Sequence, residues 1–128
     1  MNTETISIES LAYGGDGVGH LADGRVAFVA GGFPGDECQV EYVNTDDRFV
    51  RARLENLVEA SPERVQPLCP EAASGRCGGC PWAGLAYDAQ LRWKRQAVVD
   101  ALERIAHMDA AWVEAHVPAC IASKREWH

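Results

Sequence analysis

No apolar run in this chain approaches the ~20 residues that a membrane-spanning helix needs. The N-terminus, Met-Asn-Thr-Glu-Thr, lacks the basic residues and following apolar stretch of a secretory signal. A cytoplasmic protein is therefore expected. There is no internal repeat and no low-complexity tract. The five cysteines are an odd number, and without a signal peptide a disulfide framework is not expected. Basic residues are nearly missing from the first 47 positions, where Arg25 stands alone against nine acidic side chains. What remains is ordinary: 128 residues, 47% hydrophobic, enough for one domain or two small ones.

The net charge of −7 argues at first against a polyanionic partner. Its distribution weakens that argument. Residues 1–47 carry net −8, and residues 48–128 carry net +1. The basic side chains cluster as Arg48, Arg51, Arg53 and as Arg92, Lys94, Arg95. Such clusters set local phosphate contacts, whereas total charge mainly sets long-range steering.

Residues 4–59 read as five short strands between turn signals. Thr5 to Glu9 alternates polar and apolar, the period of a half-buried strand. Gly14-Gly15-Asp16-Gly17 and Asp23-Gly24 are turn and hairpin signals around a strand at Val18–Leu21. Arg25–Ala30 is a third strand. Cys38, Val40 and Tyr42 share one face of a fourth, which makes Cys38 a small core residue. On the fifth, Val50, Ala52 and Leu54 share one face and Phe49, Arg51 and Arg53 the other. Five strands in so short a stretch suit a small closed barrel of the OB type. An aromatic beside two guanidiniums can stack a base and hold its phosphates, so Phe49, Arg51 and Arg53 are candidate RNA-binding residues. An ordinary solvated face is the competing reading.

Ser61-Pro62 ends the barrel, and Pro67 precedes a cysteine-rich stretch. Cys69, Cys77 and Cys80 follow the spacing C-x7-C-x2-C. Gly78 and Gly79 let the backbone turn close to the sulfurs, and Pro70 and Pro81 stiffen the chain beyond two of the cysteines. This is the pattern of a loop built around an iron–sulfur cluster or a zinc ion. Both usually take four ligands. Cys120 qualifies as the fourth by chemistry, His107 or His116 would serve zinc, and a residue beyond the end of this chain is a further option. Three reduced cysteines in a loop is the plain alternative.

After the loop, Asp88 reads as an N-cap and Leu91, Val98, Leu102 and Ile105 share one helical face, predicting one amphipathic helix over residues 88–108. Its basic half is a solvated face or an RNA contact. Val113 to Ile121 is expected to begin a strand. The expected fold class is mainly β with α: a barrel over 1–60, a cysteine loop over 61–86, and a helix-led segment over 87–128.

Three segments in this order resemble the N-terminal part of the RumA-type 23S rRNA (uracil-5-)methyltransferases, related to the TrmA-type tRNA enzymes. The first is Leu11-Ala12-Tyr13-Gly14-Gly15-Asp16-Gly17-Val18-Gly19 with Val26-Ala27-Phe28-Val29 and Phe33-Pro34-Gly35-Asp36, which resembles a TRAM domain, an OB-like RNA-binding barrel. The second is Ser61-Pro62-Glu63-Arg64-Val65 leading to Cys69-Pro70 and Cys77-Gly78-Gly79-Cys80. The third is Leu85-Ala86-Tyr87-Asp88-Ala89-Gln90-Leu91-Arg92-Trp93-Lys94. TRAM domains also occur in radical methylthiotransferases, but with the barrel C-terminal and a C-x3-C-x2-C spacing. Ala83 and Gly84 depart from the Gln-His that many members carry there.

The resemblance implies a [4Fe–4S] cluster on Cys69, Cys77 and Cys80, with the fourth ligand missing from the matching motif. It implies S-adenosylmethionine only in the full-length enzyme, whose catalytic domain, thiolate nucleophile and general base have no counterpart here. That enzyme would add its thiolate to C6 of a uridine, so that C5 attacks the methyl group. RNA, most specifically 23S rRNA, is the implied partner of a monomeric protein. The ending at Ser123-Lys124-Arg125-Glu126-Trp127-His128 looks like a lead-in to the catalytic region, cut short. The rivals are a free-standing TRAM RNA-binding protein and a zinc-stapled interaction module.

Overall fold

A computed structural model describes residues 3–124. The chain divides into two compact units, Met1–Leu85 and Ala86–His128. The first holds five strands: β1 (Thr3–Leu11), β2 (Gly17–His20), β3 (Val26–Ala30), β4 (Glu37–Thr45) and β5 (Phe49–Glu59). They close into a barrel in the order β1-β2-β3-β5-β4. Every neighbouring pair is antiparallel except β3 and β5, which run parallel. The expected mainly-β fold with a five-stranded OB-like barrel is what the chain adopts.

Alternation produces the core. Ile6 and Ile8 of β1, Ala27 and Val29 of β3, Cys38 and Val40 of β4, and Val50 and Ala52 of β5 all turn inward. Cys38 is fully buried, as its phase predicts, and burial with the nearby Asp36 charge pushes its thiol pKa up to about 11. Closure also needs backbones to touch. A Cβ on Gly17 would stand 2.4 Å from the Gly32 carbonyl oxygen, so this crossing takes only glycine. β-Bulges lie at Ile8/Ser10 on β1 and at three places along β4 and β5. They bend the long strands around the barrel. The Asp23-Gly24 hairpin forms as expected, with Gly24 at φ 91° and its N–H on the Leu21 carbonyl at 2.9 Å.

Beyond β5, the cysteine stretch is mostly irregular but contains one short helix, α1 (Pro70–Ala73), where a plain loop was expected. Proline at the first helical position is pre-set for that turn.

The second unit differs from the sequence reading in four ways. The helix α2 spans Tyr87–Asp100 and passes into a π-helical segment, Ala101–Ile105, instead of one regular helix over 88–108. Asp88 is not its N-cap. Ala86 takes that position, and the Asp88 carboxylate accepts from the Ala89 N–H at 2.9 Å. The inward positions are Ala89 and Val99, while Val98 and Ile105 are 50% and 79% exposed. The periodicity weighed large side chains and passed over the small Ala89. The π segment also changes the phase of everything after Asp100. Finally, Val113 lies in a helix, α3 (Ala110–His116), not at the start of a strand. Asp109 caps it by accepting from the Trp112 N–H at 3.0 Å. Among the described residues, no helix is long and apolar enough to cross a membrane.

Candidate nucleic-acid interface and cysteine loop

Phe49, Arg51 and Arg53 alternate outward on β5, as expected. The parallel register with β3 sets Phe28 opposite Arg51 and Val26 opposite Phe49. Phe28 thereby joins the face. Its ring meets Phe49 edge-on, with centroids 5.9 Å apart and planes at 71°. The Arg51 guanidinium carbon lies 5.6 Å from the Phe28 centroid. One Arg51 nitrogen reaches the Asp16 carboxylate on the β1–β2 turn at 3.4 Å. Two half-buried rings beside an exposed guanidinium can stack an unpaired base and hold a phosphate.

Arg53 points the same way but is differently engaged. Its guanidinium bridges Glu41 at 2.5 Å and Glu55 at 2.9 Å, and these bonds raise its pKa. The structure thus brings Phe49 and Arg51 together with Phe28, and sets Arg53 between two carboxylates. Phe28 was not singled out from the sequence. Strand alternation on β3 was the available signal, but its neighbour depends on a pairing that sequence does not show.

In the second unit, Arg95 is not a solvated member of a basic face. It donates to the Val117 carbonyl at 3.1 Å and the Glu114 carbonyl at 3.3 Å, and pairs with the Glu114 carboxylate at 3.0 Å. It closes the C-terminal end of α3, where the helix dipole favours a cation. Arg92 pairs with Asp88 at 3.4 Å.

The cysteine loop is tied to the barrel at both ends. At its start, the buried Asp36 carboxylate accepts from the backbone N–H groups of Phe33 and Ser61, each at 2.7 Å, and from Arg64 at 2.6–3.1 Å. Arg64 also donates to the Gly31 carbonyl at 2.6 Å, with its guanidinium carbon 4.5 Å from the Phe33 centroid. Burial would raise the Asp36 pKa, but Arg64 and the two backbone donors outweigh it and hold the carboxyl below its usual range. At the other end, the Trp82 indole N–H donates to the Gly15 carbonyl at 3.0 Å. Gly15 has φ 102°, and a Cβ there would meet that indole nitrogen at 3.0 Å.

Between these anchors lie Cys69, Cys77 and Cys80, all exposed and outside any disulfide. Cys77 and Cys80 line a cleft of about 440 Å³ with Arg64, Phe33, Pro67 and Gly84. The Glu71 carbonyl accepts from the Cys77 N–H at 3.2 Å, folding the chain back on α1. Three thiols suit a soft metal or a cluster in kind. They are not gathered: among the described residues, no three His, Cys, Asp or Glu side chains stand close enough to hold one ion. Of the candidates for a fourth ligand, His116 stacks on Trp112 at 4.1 Å and its Nδ1 lies 2.7 Å from the Trp112 carbonyl. Cys120 is half-buried, and His107 has a left-handed backbone with φ 55°.

Residues 2–54, a stretch that includes most of the barrel, match the TRAM domain. About four fifths of the chain is similar to part of several proteins named RNA methyltransferases. It is 42% identical to an uncharacterized RNA methyltransferase of Gloeobacter violaceus over 80% of this chain and 22% of that protein. Others from Corynebacterium efficiens and Thermotoga maritima are 42% and 35% identical, over 81% and 79% of this chain. The chain spans 22–24% of the length of these three relatives. The crystal structure of the Pyrococcus abyssi tRNA (uracil-54, C5)-methyltransferase with S-adenosyl-L-homocysteine is 31% identical, over 81% of this chain and 22% of that one, at a TM-score of 0.47.

Proposed function

We propose that this chain is the RNA-gripping, cluster-bearing N-terminal portion of an S-adenosylmethionine-dependent RNA (uracil-5-)methyltransferase acting on 23S rRNA in the cytoplasm as a monomer. Residues 1–60 would form the RNA-binding barrel, 61–86 the cluster loop, and 87–128 the start of a central region. The observation that carries this reading is the outward face of β5, where Phe49 and Arg51 meet Phe28 on a TRAM barrel whose relatives are named RNA methyltransferases. Phe49, Arg51 and Arg53 are the proposed RNA contacts, working by stacking and by phosphate pairing.

Cys69, Cys77 and Cys80 would supply three thiolates to a [4Fe–4S] cluster, which asks the three side chains to draw together. The cluster would brace the loop, since methyl transfer moves no electron. Two measurements test the reading. Single-stranded rRNA binding should weaken in the Arg51→Ala, Arg53→Ala double variant, and its dependence on salt should flatten; an unchanged affinity and salt slope would remove this face from consideration. Protein prepared without oxygen should carry iron that is lost when the three cysteines become serine. Stoichiometric zinc without iron would replace the cluster by a structural zinc site.

A further inference from the structure

We infer that Asp16 is a built-in competitor of RNA phosphate: its carboxylate holds Arg51 across the Phe28 ring, and a phosphate that takes Arg51 uncovers that ring for an unpaired base. The inference rests on the RNA-binding reading above and narrows it to one cation and one ring. The guanidinium sits over Phe28 at 5.6 Å while its nitrogen meets Asp16 at 3.4 Å. Arg51 therefore occupies the place where a base would stack. A carboxylate and a phosphate ask the same thing of arginine, anionic oxygens facing N–H donors.

Asp16 is held in position for this role. Its carbonyl accepts from the Ala12 N–H at 2.8 Å, and the Gly15 N–H donates to the Ala12 carbonyl at 3.0 Å. Trp82 pins the same turn through the Gly15 carbonyl. The contact it makes is single and long, with Arg51 58% and Asp16 36% exposed in their side chains. Pairs of this kind are weak and readily exchanged. Arg53 is the contrast. Two carboxylates hold it, at 2.5 and 2.9 Å, so an incoming phosphate would have to displace both. Of the two arginines, Arg51 is the one built to let go.

Fluorescence anisotropy with a short labelled oligouridine at low ionic strength tests the idea. Asp16→Asn keeps the size of the side chain and the backbone bonds of the turn. It should tighten binding by about two- to fivefold, the range a weak exposed pair represents. Asp16→Ser serves as an independent variant should the asparagine disturb folding, as judged by circular dichroism. Arg51→Ala should weaken binding and lower the salt slope by about 0.7, one phosphate on a single strand. Arg53→Ala should change affinity less than Arg51→Ala. The gain from Asp16→Asn should shrink in a Phe28→Leu background, because the two changes act on one ring. If the parent protein binds and neither Asp16 variant tightens it, the competitor role is wrong while the RNA reading stands. If the parent does not bind oligouridine at all, both fall.

Discussion

Replacing Asp36 with alanine should be among the most damaging single changes in the first unit. The carboxylate is 1% exposed and accepts from two backbone N–H groups and from Arg64. Removing one partner of a buried ion pair costs about 3–5 kcal/mol, because the other charge is left uncompensated. Arg64 keeps a 23% exposed side chain and the Gly31 carbonyl, so it can recover part of its solvation, which points to the lower end. The Phe33 and Ser61 N–H groups lose their acceptor as well, at about 1–3 kcal/mol for each group that stays dry. These costs overlap, and about 3–4 kcal/mol is the expected total. Against a typical stability of about 5–15 kcal/mol this is a large fraction. It corresponds to a fall in Tm on the order of 15–25 °C for a domain of this size. Urea unfolding followed by circular dichroism measures it. The same pair also predicts a pH response. The folded pKa of Asp36 lies below its ordinary value, so its contribution is complete above the ordinary carboxylate range and is lost as pH falls through the folded pKa. Asp36→Asn should be less damaging than alanine and should show a flatter loss of stability below about pH 4. A loss under about 1 kcal/mol for Asp36→Ala would refute the view that this cluster joins loop to barrel.

Gly17→Ala should cost about 2–3 kcal/mol, because its Cβ would stand 2.4 Å from the Gly32 oxygen. Gly24→Ala meets nothing within 4 Å and carries only the strain of φ 91°, so similar losses for the two in urea would contradict the close-crossing argument. Cys38, with its thiol pushed to about 11, should resist iodoacetamide at pH 8 in the folded apoprotein while Cys69, Cys77 and Cys80 react, as read by mass spectrometry. The chain alone should place no label on uridine C5 when incubated with radiolabelled S-adenosylmethionine and unmodified rRNA, since its described residues form one barrel and helices, with no doubly wound sheet for the donor.

The barrel was legible because its signals are local. Alternation placed Ile6, Ile8, Val50 and Ala52 inward, and the glycine pairs marked the turns. The parallel pairing of β3 with β5 was not legible, since nothing in a single strand names its neighbour. That pairing is what brings Phe28 to Arg51, so the candidate RNA site was read only from its β5 side. Asp36 and Arg64 stood in the sequence as parts of two separate motifs. Their contact crosses 28 positions and required the fold to show why both are there. In the second unit, Ala89 carries little hydrophobic weight and was passed over, and of the four residues on the expected face Leu91 and Leu102 are half-buried while Val98 and Ile105 are exposed. The Asp109 cap was a local signal that the reading passed over in favour of the β-branched Val113.

The two anchors give the cysteine loop a particular mechanical character. Arg64 and Trp82 fix its ends on the barrel, while Cys69, Pro70, Cys77 and Cys80 between them are all exposed. With both ends held, any rearrangement of the segment between them stays local. The anchor at Trp82 has a second consequence. It rests on Gly15, one residue from Asp16, and Asp16 holds Arg51 on the outward face. One short turn is therefore braced by the cysteine loop on one side and sets the Arg51 contact on the other. A change in the loop that pulls on Trp82 reaches the outward Arg51 guanidinium through a single peptide unit and one exposed ion pair.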